Sequence, residues 1–115
     1  SADDLLALPR SAVFPKKHVG MFRSHWGPGA FAATRGEAAE GAPPPAWLAF
    51  KGCDGRWTHN DLDGGQFVFE LGGIPWAVDL GADSYGLPGY WDQASGANQR
   101  YSWYRKSTHG HNTLT

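Results

Sequence analysis

The segment QFVFELGGIPWAVDLG, residues 66–81, constrains the fold of this chain most. Phe67, Phe69 and Leu71 occupy every second position, which is the side-chain period of a β-strand. Two consecutive glycines separate this run from a second apolar run, and glycine readily adopts the left-handed backbone of a tight hairpin turn. The segment therefore predicts an antiparallel β-hairpin.

The rest of the chain fits an all-β domain of short strands. Six Trp, six Phe and four Tyr occur beside sixteen Gly and eight Pro in 115 residues, a composition of strands and turns rather than of a helix bundle. Residues 18–26 and 45–52 carry the aromatic content of further strands, and 109–115 reads as the start of another. The capped stretch SADDLLALP, residues 1–9, predicts a short helix that ends at Pro9. Trp76 and Trp103 lie in apolar runs, so we expect both in the core.

Composition excludes several classes of function. Ten basic and eleven acidic residues give a net charge of -1 with no basic run, so a nucleic-acid partner is not expected. Cys53 is the only cysteine, which rules out an intrachain disulfide and a cysteine-based zinc knuckle. No run approaches the ~20 apolar residues of a membrane span, and no signal peptide is visible. The chain is therefore expected to be cytosolic, or exported by a signal outside it.

The polar stretch THNDLDGGQF, residues 58–67, is either an ordinary turn or part of a site. Asp, Asn and Gly are common turn residues, which favours the first interpretation. A calcium loop counted from Asp61 fails, because its twelfth position is Gly72 rather than an acid. His109 and His111 would face the same side of a strand, as paired metal ligands must, but this spacing is weak evidence by itself.

The order of polar residues along the chain is more informative than any one of them. The stretches AFKG, HNDLDGGQFVFELGGIPWAVDLGADSYGLPGYWD and YRKSTHGHNTL, within residues 46–115, together resemble the heparinase II/III-like polysaccharide lyases. The resemblance implies that 46–115 is a segment of an antiparallel β-sandwich. It also implies that 1–45 leads into this sandwich from an N-terminal (α/α) toroid, which this chain is too short to contain.

The resemblance assigns catalytic roles to His59 and Tyr90. Such lyases cleave a uronic-acid glycoside by removing the C5 proton, which requires a base, an acid and groups that neutralise the neighbouring carboxylate. Histidine, with an ordinary pKa near ~6.5, can act as base or as donor at neutral pH. His59 matches the catalytic histidine of the family motif, and Tyr90 lies in the aromatic loop where family members place a substrate-facing tyrosine.

The resemblance also implies a structural metal ion held by Asp61, Asp79 and His111. Better-known members have histidine where this chain has Asp61. Carboxylate is a competent zinc ligand, so the expected ion is Zn²⁺, with Ca²⁺ or Mn²⁺ admitted by the harder ligand set.

Further polar and aromatic residues are candidates for binding the sugar. Asn60, Tyr104 and Arg105 are expected to contact carboxylate or hydroxyl groups, Arg for its bidentate fork. Tyr101 is a further candidate, and Trp91 could stack on a sugar ring. The remaining histidines are expected to be structural: His18, His25 and His109.

The functional expectation is therefore part of a lyase that acts by β-elimination on an acidic polysaccharide of glycosaminoglycan or alginate type. The resemblance implies a periplasmic or secreted protein. We expect no turnover without the helical domain, whose coding segment would lie upstream of Ser1. The alternative is a non-catalytic carbohydrate-binding or structural β-domain that keeps the metal.

Overall fold

A computed structural model describes residues 7–26, 41, 43–52, 59–92 and 99–114. Five antiparallel strands form one sheet in the order of the chain, so every connection joins neighbouring strands. The strands are β1 (Ser11–Phe14), β2 (Val19–Arg23), β3 (Ala46–Lys51), β4 (Gln66–Leu71) and β5 (Ile74–Ala77). Short 3-10 turns cover Pro15–Lys17, Gln99–Ser102, Tyr104–Lys106 and Thr108–Gly110. The predicted all-β class is confirmed at the level of this sheet.

The predicted hairpin is formed by β4 and β5. Leu71 pairs with Ile74 across the turn, and Gly72 and Gly73 have φ angles of 62° and 77°. Both central residues are thus left-handed, which suits the right-handed twist of the two strands. A register shift follows between Phe69 and Glu70 and marks a bulge.

One face of the sheet is apolar across the three central strands. Phe22 on β2 lies opposite Leu48 on β3, which lies opposite Phe69 on β4, and Phe50 lies opposite Phe67. The Phe22 and Phe50 rings stack with centroids 6.1 Å apart. Phe22, Phe50 and Phe67 are nevertheless exposed. A single sheet therefore presents this apolar face to its surroundings.

The two tryptophans expected in the core are not buried there. Trp76 lies on β5 as expected, but it is 68 % exposed, because none of the described residues forms a second layer over this sheet. Trp103 lies outside the strands and is half-buried. Its indole nitrogen donates a hydrogen bond to the Pro88 carbonyl at 3.1 Å.

The strand expected at 109–115 is also wrong for the residues that the structure describes. Thr108–Gly110 is a 3-10 turn and bends follow it. The segment still meets the sheet, because the Phe67 amide donates to the Asn112 carbonyl at 3.0 Å. Residues 1–6 of the predicted helix lie outside the described residues, as does most of the loop at 34–45.

The sheet continues across the expected boundary at residue 45, because β2 pairs with β3. The division into 1–45 and 46–115 stays a prediction. Beside the sheet lies a region without strands, which we call the loop region: residues 59–65, 78–92 and 99–114. None of the helical turns in the described ranges is long and apolar enough to cross a bilayer.

Candidate functional site

The loop region is fixed to the sheet by two neighbouring polar residues. Lys51 at the end of β3 pairs in register with Gln66 at the start of β4, so both side chains leave the same face. The Lys51 ammonium donates to Asn60 Oδ1 at 2.9 Å and to Asp63 Oδ2 at 2.6 Å. Gln66 Nε2 donates to Asp79 Oδ2 at 2.7 Å. The polar stretch before β4 and the acid after β5 are thereby held at one end of the sheet.

Asp79 and His111, 32 positions apart, lie together. His111 Nδ1 is 2.8 Å from Asp79 Oδ2, and the Gly81 amide donates to the other carboxylate oxygen at 2.7 Å. Partial burial alone would raise the pKa of Asp79, but the hydrogen bond to His111, together with those from Gly81 and Gln66, holds it below its usual value. The His111 side chain is buried, and its Nε2 atom has no hydrogen-bond partner in the part of the chain that the structure describes.

The two residues after His111 fasten the same segment to the backbone of the hairpin. Asn112 Nδ2 donates to the Val78 carbonyl at 2.7 Å and to the Phe67 carbonyl at 3.2 Å. The Thr113 hydroxyl donates to the Gly64 carbonyl at 2.5 Å. These bonds join the start of β4 to the end of β5 and set the position of His111 against Asp79.

Asp61 has a different partner. Its carboxylate accepts a hydrogen bond from the buried Lys106 ammonium and forms an ion pair with it. Burial alone would lower the pKa of Lys106, but hydrogen bonds to Asp61 and to the Tyr90 hydroxyl offset this, and the pKa is raised. The Leu62 amide also donates to the Lys106 carbonyl at 3.0 Å, so side chain and backbone hold the two segments together.

The three expected metal ligands are therefore only partly assembled. Asp79 and His111 meet, while Asp61 is paired with Lys106. Within the described ranges, no group of three His, Cys, Asp or Glu side chains could hold a metal ion. The feature that fits a metal is His111, because an aspartate on Nδ1 and an open Nε2 is how proteins orient a ligating histidine. The metal site stays a prediction.

His59 lies in an aromatic cluster at the surface of the loop region. Its φ angle is 69°, a left-handed backbone that costs a residue other than glycine about 1–2 kcal/mol. The imidazole packs edge-on against Trp91, with centroids 4.9 Å apart, and lies 6.2 Å from the Tyr85 ring. His59 is exposed, and its left-handed backbone places an accessible imidazole beside the Trp91 and Tyr85 rings.

Tyr90 lies beneath this cluster and is only 2 % exposed. Its ring centroid is 5.1 Å from Tyr85 and 5.1 Å from Trp91, and the Lys106 ammonium is 4.8 Å from it. Tyr85 and Trp91, by contrast, are 55 % and 46 % exposed. A polymer on the surface would meet Tyr85 and Trp91 before it met Tyr90.

The expected sugar-binding residues differ in burial and in their contacts. Asn60 is buried, and it accepts hydrogen bonds from Lys51 at its side chain and from Arg100 at its carbonyl. Tyr104 is 61 % exposed, and Arg105 donates to the Leu80 carbonyl at 3.0 Å. These contacts show how Asn60 and Arg105 hold the loops in place, and their binding role stays a prediction.

The remaining candidates have local contacts. The half-buried Tyr101 ring faces the Arg100 guanidinium at 5.8 Å. His18 ends the turn after β1 with φ 51°, His25 Nδ1 is 2.9 Å from the Ser24 hydroxyl, and His109 is exposed on a 3-10 turn. These contacts are compatible with the structural roles expected for the three histidines.

No protein-family model, no curated protein and no solved structure matches this chain. The interpretation of the site therefore depends on its own geometry.

Sequence reasoning missed five residues that build the site: Lys51, Gln66, Tyr85, Arg100 and Lys106. One signal was available, because Asp61 and Asp63 require cationic partners and Asn60 requires hydrogen-bond partners once they are buried. Tyr85 lies in the same aromatic loop as Tyr90 and was equally visible. Arg100 contacts a residue 40 positions earlier, and Lys106 contacts one 45 positions earlier. No local sequence pattern indicates contacts between residues so far apart.

Proposed function

We propose that this chain is the β-sheet part of a polysaccharide lyase, which cleaves a uronic-acid-containing polysaccharide by β-elimination when it is joined to a helical domain. The observation that carries the proposal is His59. It is exposed, held in a strained backbone conformation and flanked by aromatic rings that suit a sugar.

In the proposed reaction, His59 removes the C5 proton of the uronate. The electrons of that bond form the C4–C5 double bond as the C4–O bond breaks, and the leaving oxygen takes a proton. Tyr90 is the proposed acid, with the Lys106 ammonium 4.8 Å from the centre of its ring. Because Tyr90 is buried, the loop region must rearrange before the hydroxyl can reach the leaving group.

The proposal includes a structural Zn²⁺, with Ca²⁺ or Mn²⁺ as alternatives, near His111. His111 Nε2 would hold the ion while Asp79 stays on Nδ1 and orients the ring. Asp79 could join as a ligand only by leaving His111, and Asp61 only by leaving Lys106. Its support is the buried and unpartnered Nε2 atom. The ion would fix the loops beneath the sugar site.

The rival function is a carbohydrate-binding or structural β-domain without chemistry. One observation favours it: the expected acid Tyr90 is buried. The binding surface is common to both candidates, whereas the reaction requires His59 to work as a base.

The apolar sheet face supports the finer proposal that this sheet is one half of a β-sandwich. Phe22, Phe50 and Phe67 present aromatic surface of the kind that a second sheet covers at a spacing of about 10 Å. A periplasmic or secreted location is proposed from the type of substrate alone.

The deciding experiment incubates the natural protein, with the helical domain expected to precede these residues, with heparin, chondroitin, hyaluronan and alginate. A lyase produces an unsaturated uronate, which is followed by its ultraviolet absorbance. His59→Ala should lower the rate by about 10²–10⁴-fold. The matched control is His18→Ala, another left-handed histidine outside the site, which should leave the rate unchanged. If the absorbance does not rise with any of the four polymers, the rival function is favoured.

Metal analysis of the purified chain tests the ion separately. The expected result is one bound zinc per chain, lost in His111→Ala and retained in His109→Ala, an exposed histidine two positions away. Asp61→Ala reports whether Asp61 contributes. A metal-free native chain would remove the ion from the proposal.

A further inference from the structure

Arg100 is buried, and it has no acidic partner among the residues that the structure describes. Its side chain is 0 % exposed, and its one hydrogen bond runs from Nη2 to the Asn60 carbonyl at 2.8 Å. The Nε and Nη1 atoms are buried and have no hydrogen-bond partner. A buried cation is normally paired with an acid, because its desolvation is costly. The nearby Lys106 does not share this property, since Asp61 neutralises it.

Aromatic rings surround the Arg100 guanidinium instead. The centroids of Tyr90, Trp91 and Tyr101 lie 5.4, 5.6 and 5.8 Å from its central carbon. Contacts of this kind stabilise a cation through the negative face of each ring. They leave its charge in place, so the aromatic cluster lies beside a positive charge that no carboxylate of the described residues pairs with.

The cluster reaches the surface through Trp91 and Tyr85. Their ring centroids are 5.0 Å apart at an interplanar angle of 70°, and both rings are about half exposed. Aromatic side chains exposed in this manner offer a flat apolar face to a ligand while the protein holds them in place. The apolar face of a pyranose ring is a ligand of matching shape.

We propose that Tyr85 and Trp91, with Arg100 beneath them, form a stacking subsite for an anionic sugar ring. Tyr85 and Trp91 contact the ring, and Arg100 is a positioning residue that favours a ligand with a carboxylate or sulfate. The subsite rests on the proposed function for its substrate class, because a uronate polymer supplies both the ring and the charge. It does not require His59 to act as a base.

The test is a calorimetric titration of the protein with a uronate oligosaccharide and with the same oligosaccharide after its carboxylates are reduced to alcohols. The acidic form should bind about tenfold more tightly than the reduced form at low salt, and the difference should shrink as salt is raised. Equal affinity for the two forms would overturn the role of Arg100.

Variants locate the subsite. Trp91→Ala and Tyr85→Ala should each weaken binding of the acidic form by about tenfold, because each removes one stacking face. Trp76→Ala is the matched control, since Trp76 is an exposed tryptophan on β5 outside the cluster, and it should leave the affinity unchanged. Unchanged binding in Trp91→Ala and Tyr85→Ala would overturn the subsite.

Arg100→Gln should bind the acidic and reduced forms equally. Because this variant removes a buried side chain, its fold is checked first by circular dichroism. If it does not fold, the native protein decides the role of the charge, and equal affinity for the acidic and the reduced oligosaccharide would overturn that role.

The subsite and the lyase activity fail in different ways. Binding that is lost in Trp91→Ala, in a protein that produces no unsaturated uronate, supports the subsite and rejects the lyase. If Trp91→Ala and Tyr85→Ala bind the oligosaccharide with native affinity and cleave it at the native rate, the subsite is rejected and the lyase activity is not.

Discussion

In the sheet, aromatic side chains such as Phe22, Phe50 and Phe67 stand exposed, whereas in the loop region charged side chains are buried. Tyr90 is the only buried apolar side chain among the described residues, while the buried polar residues are Asn60, Asp63, Arg100 and Lys106. Globular domains usually show the reverse distribution. The difference indicates that polar pairing holds the loop region together, and that the sheet has an apolar face left to cover.

The largest expected effect concerns the buried ion pair of the loop region. Lys106→Met removes the cation and leaves Asp61 without its partner in a mostly buried position. Breaking a buried pair from one side costs about 3–5 kcal/mol of the free energy of unfolding. Urea unfolding followed by circular dichroism measures the loss.

The control for this substitution is Lys16→Met. Lys16 is exposed on the 3-10 turn after β1, so its replacement should change stability by less than about 0.5 kcal/mol. Equal losses in the two variants would show that Lys106 contributes no more than a surface lysine, and the comparison between the two regions would fail.

The sheet could be predicted further from the sequence than the loop region. The β4–β5 hairpin depends on side-chain alternation and on a glycine turn, and both signals lie within sixteen residues. β1 was missed because SAVF is short and lies at the edge of the sheet, where pairing with β2 is what orders it. Trp76 was wrongly expected in the core, since an apolar residue type does not show whether a second layer is present.

The loop region was harder because its contacts join distant residues. The sequence drew attention to Asp79 and His111, and the structure places them 2.8 Å apart. It also drew attention to Asp61 but not to Lys106, which lies 45 positions later. A pairing of this length has no period or turn signal, so only the three-dimensional structure shows it.

A smaller effect is expected for an aromatic residue of the sheet. A fully buried Phe replaced by Ala costs about 3–5 kcal/mol, but Phe67 is exposed, so Phe67→Ala should cost only about 1–2 kcal/mol in this chain. Urea unfolding at two protein concentrations measures it. A loss as large as that of Lys106→Met would mean that the apolar face is covered, and a concentration dependence would identify a second copy as the cover.

The carboxylate of Asp79 should make the stability of the loop region depend on pH. Its pKa in the folded chain lies below the ordinary value of 3.8, so the ionised form contributes stability above about pH 4, and this is lost as the pH falls through the lowered pKa. Asp79→Asn should therefore be less stable than the native chain at pH 7, with the difference vanishing toward pH 2. Asp83→Asn, whose native carboxylate accepts from the Ser84 amide, is the control for a loop aspartate without a histidine partner.

The smallest expected effect compares the two left-handed histidines, one beside the sheet and one in the loop region. Glycine relieves about 1–2 kcal/mol of backbone strain but loses about 0.5–1 kcal/mol to chain entropy. His59→Gly also loses the contacts with Trp91 and Tyr85, each worth about 0.5–1.5 kcal/mol, so it should lower stability. His18→Gly is the comparison at an exposed turn residue, and it should lower stability less than His59→Gly does. Thermal unfolding of both variants measures the difference. A gain in stability for His59→Gly would show that the aromatic cluster does not hold this residue in place.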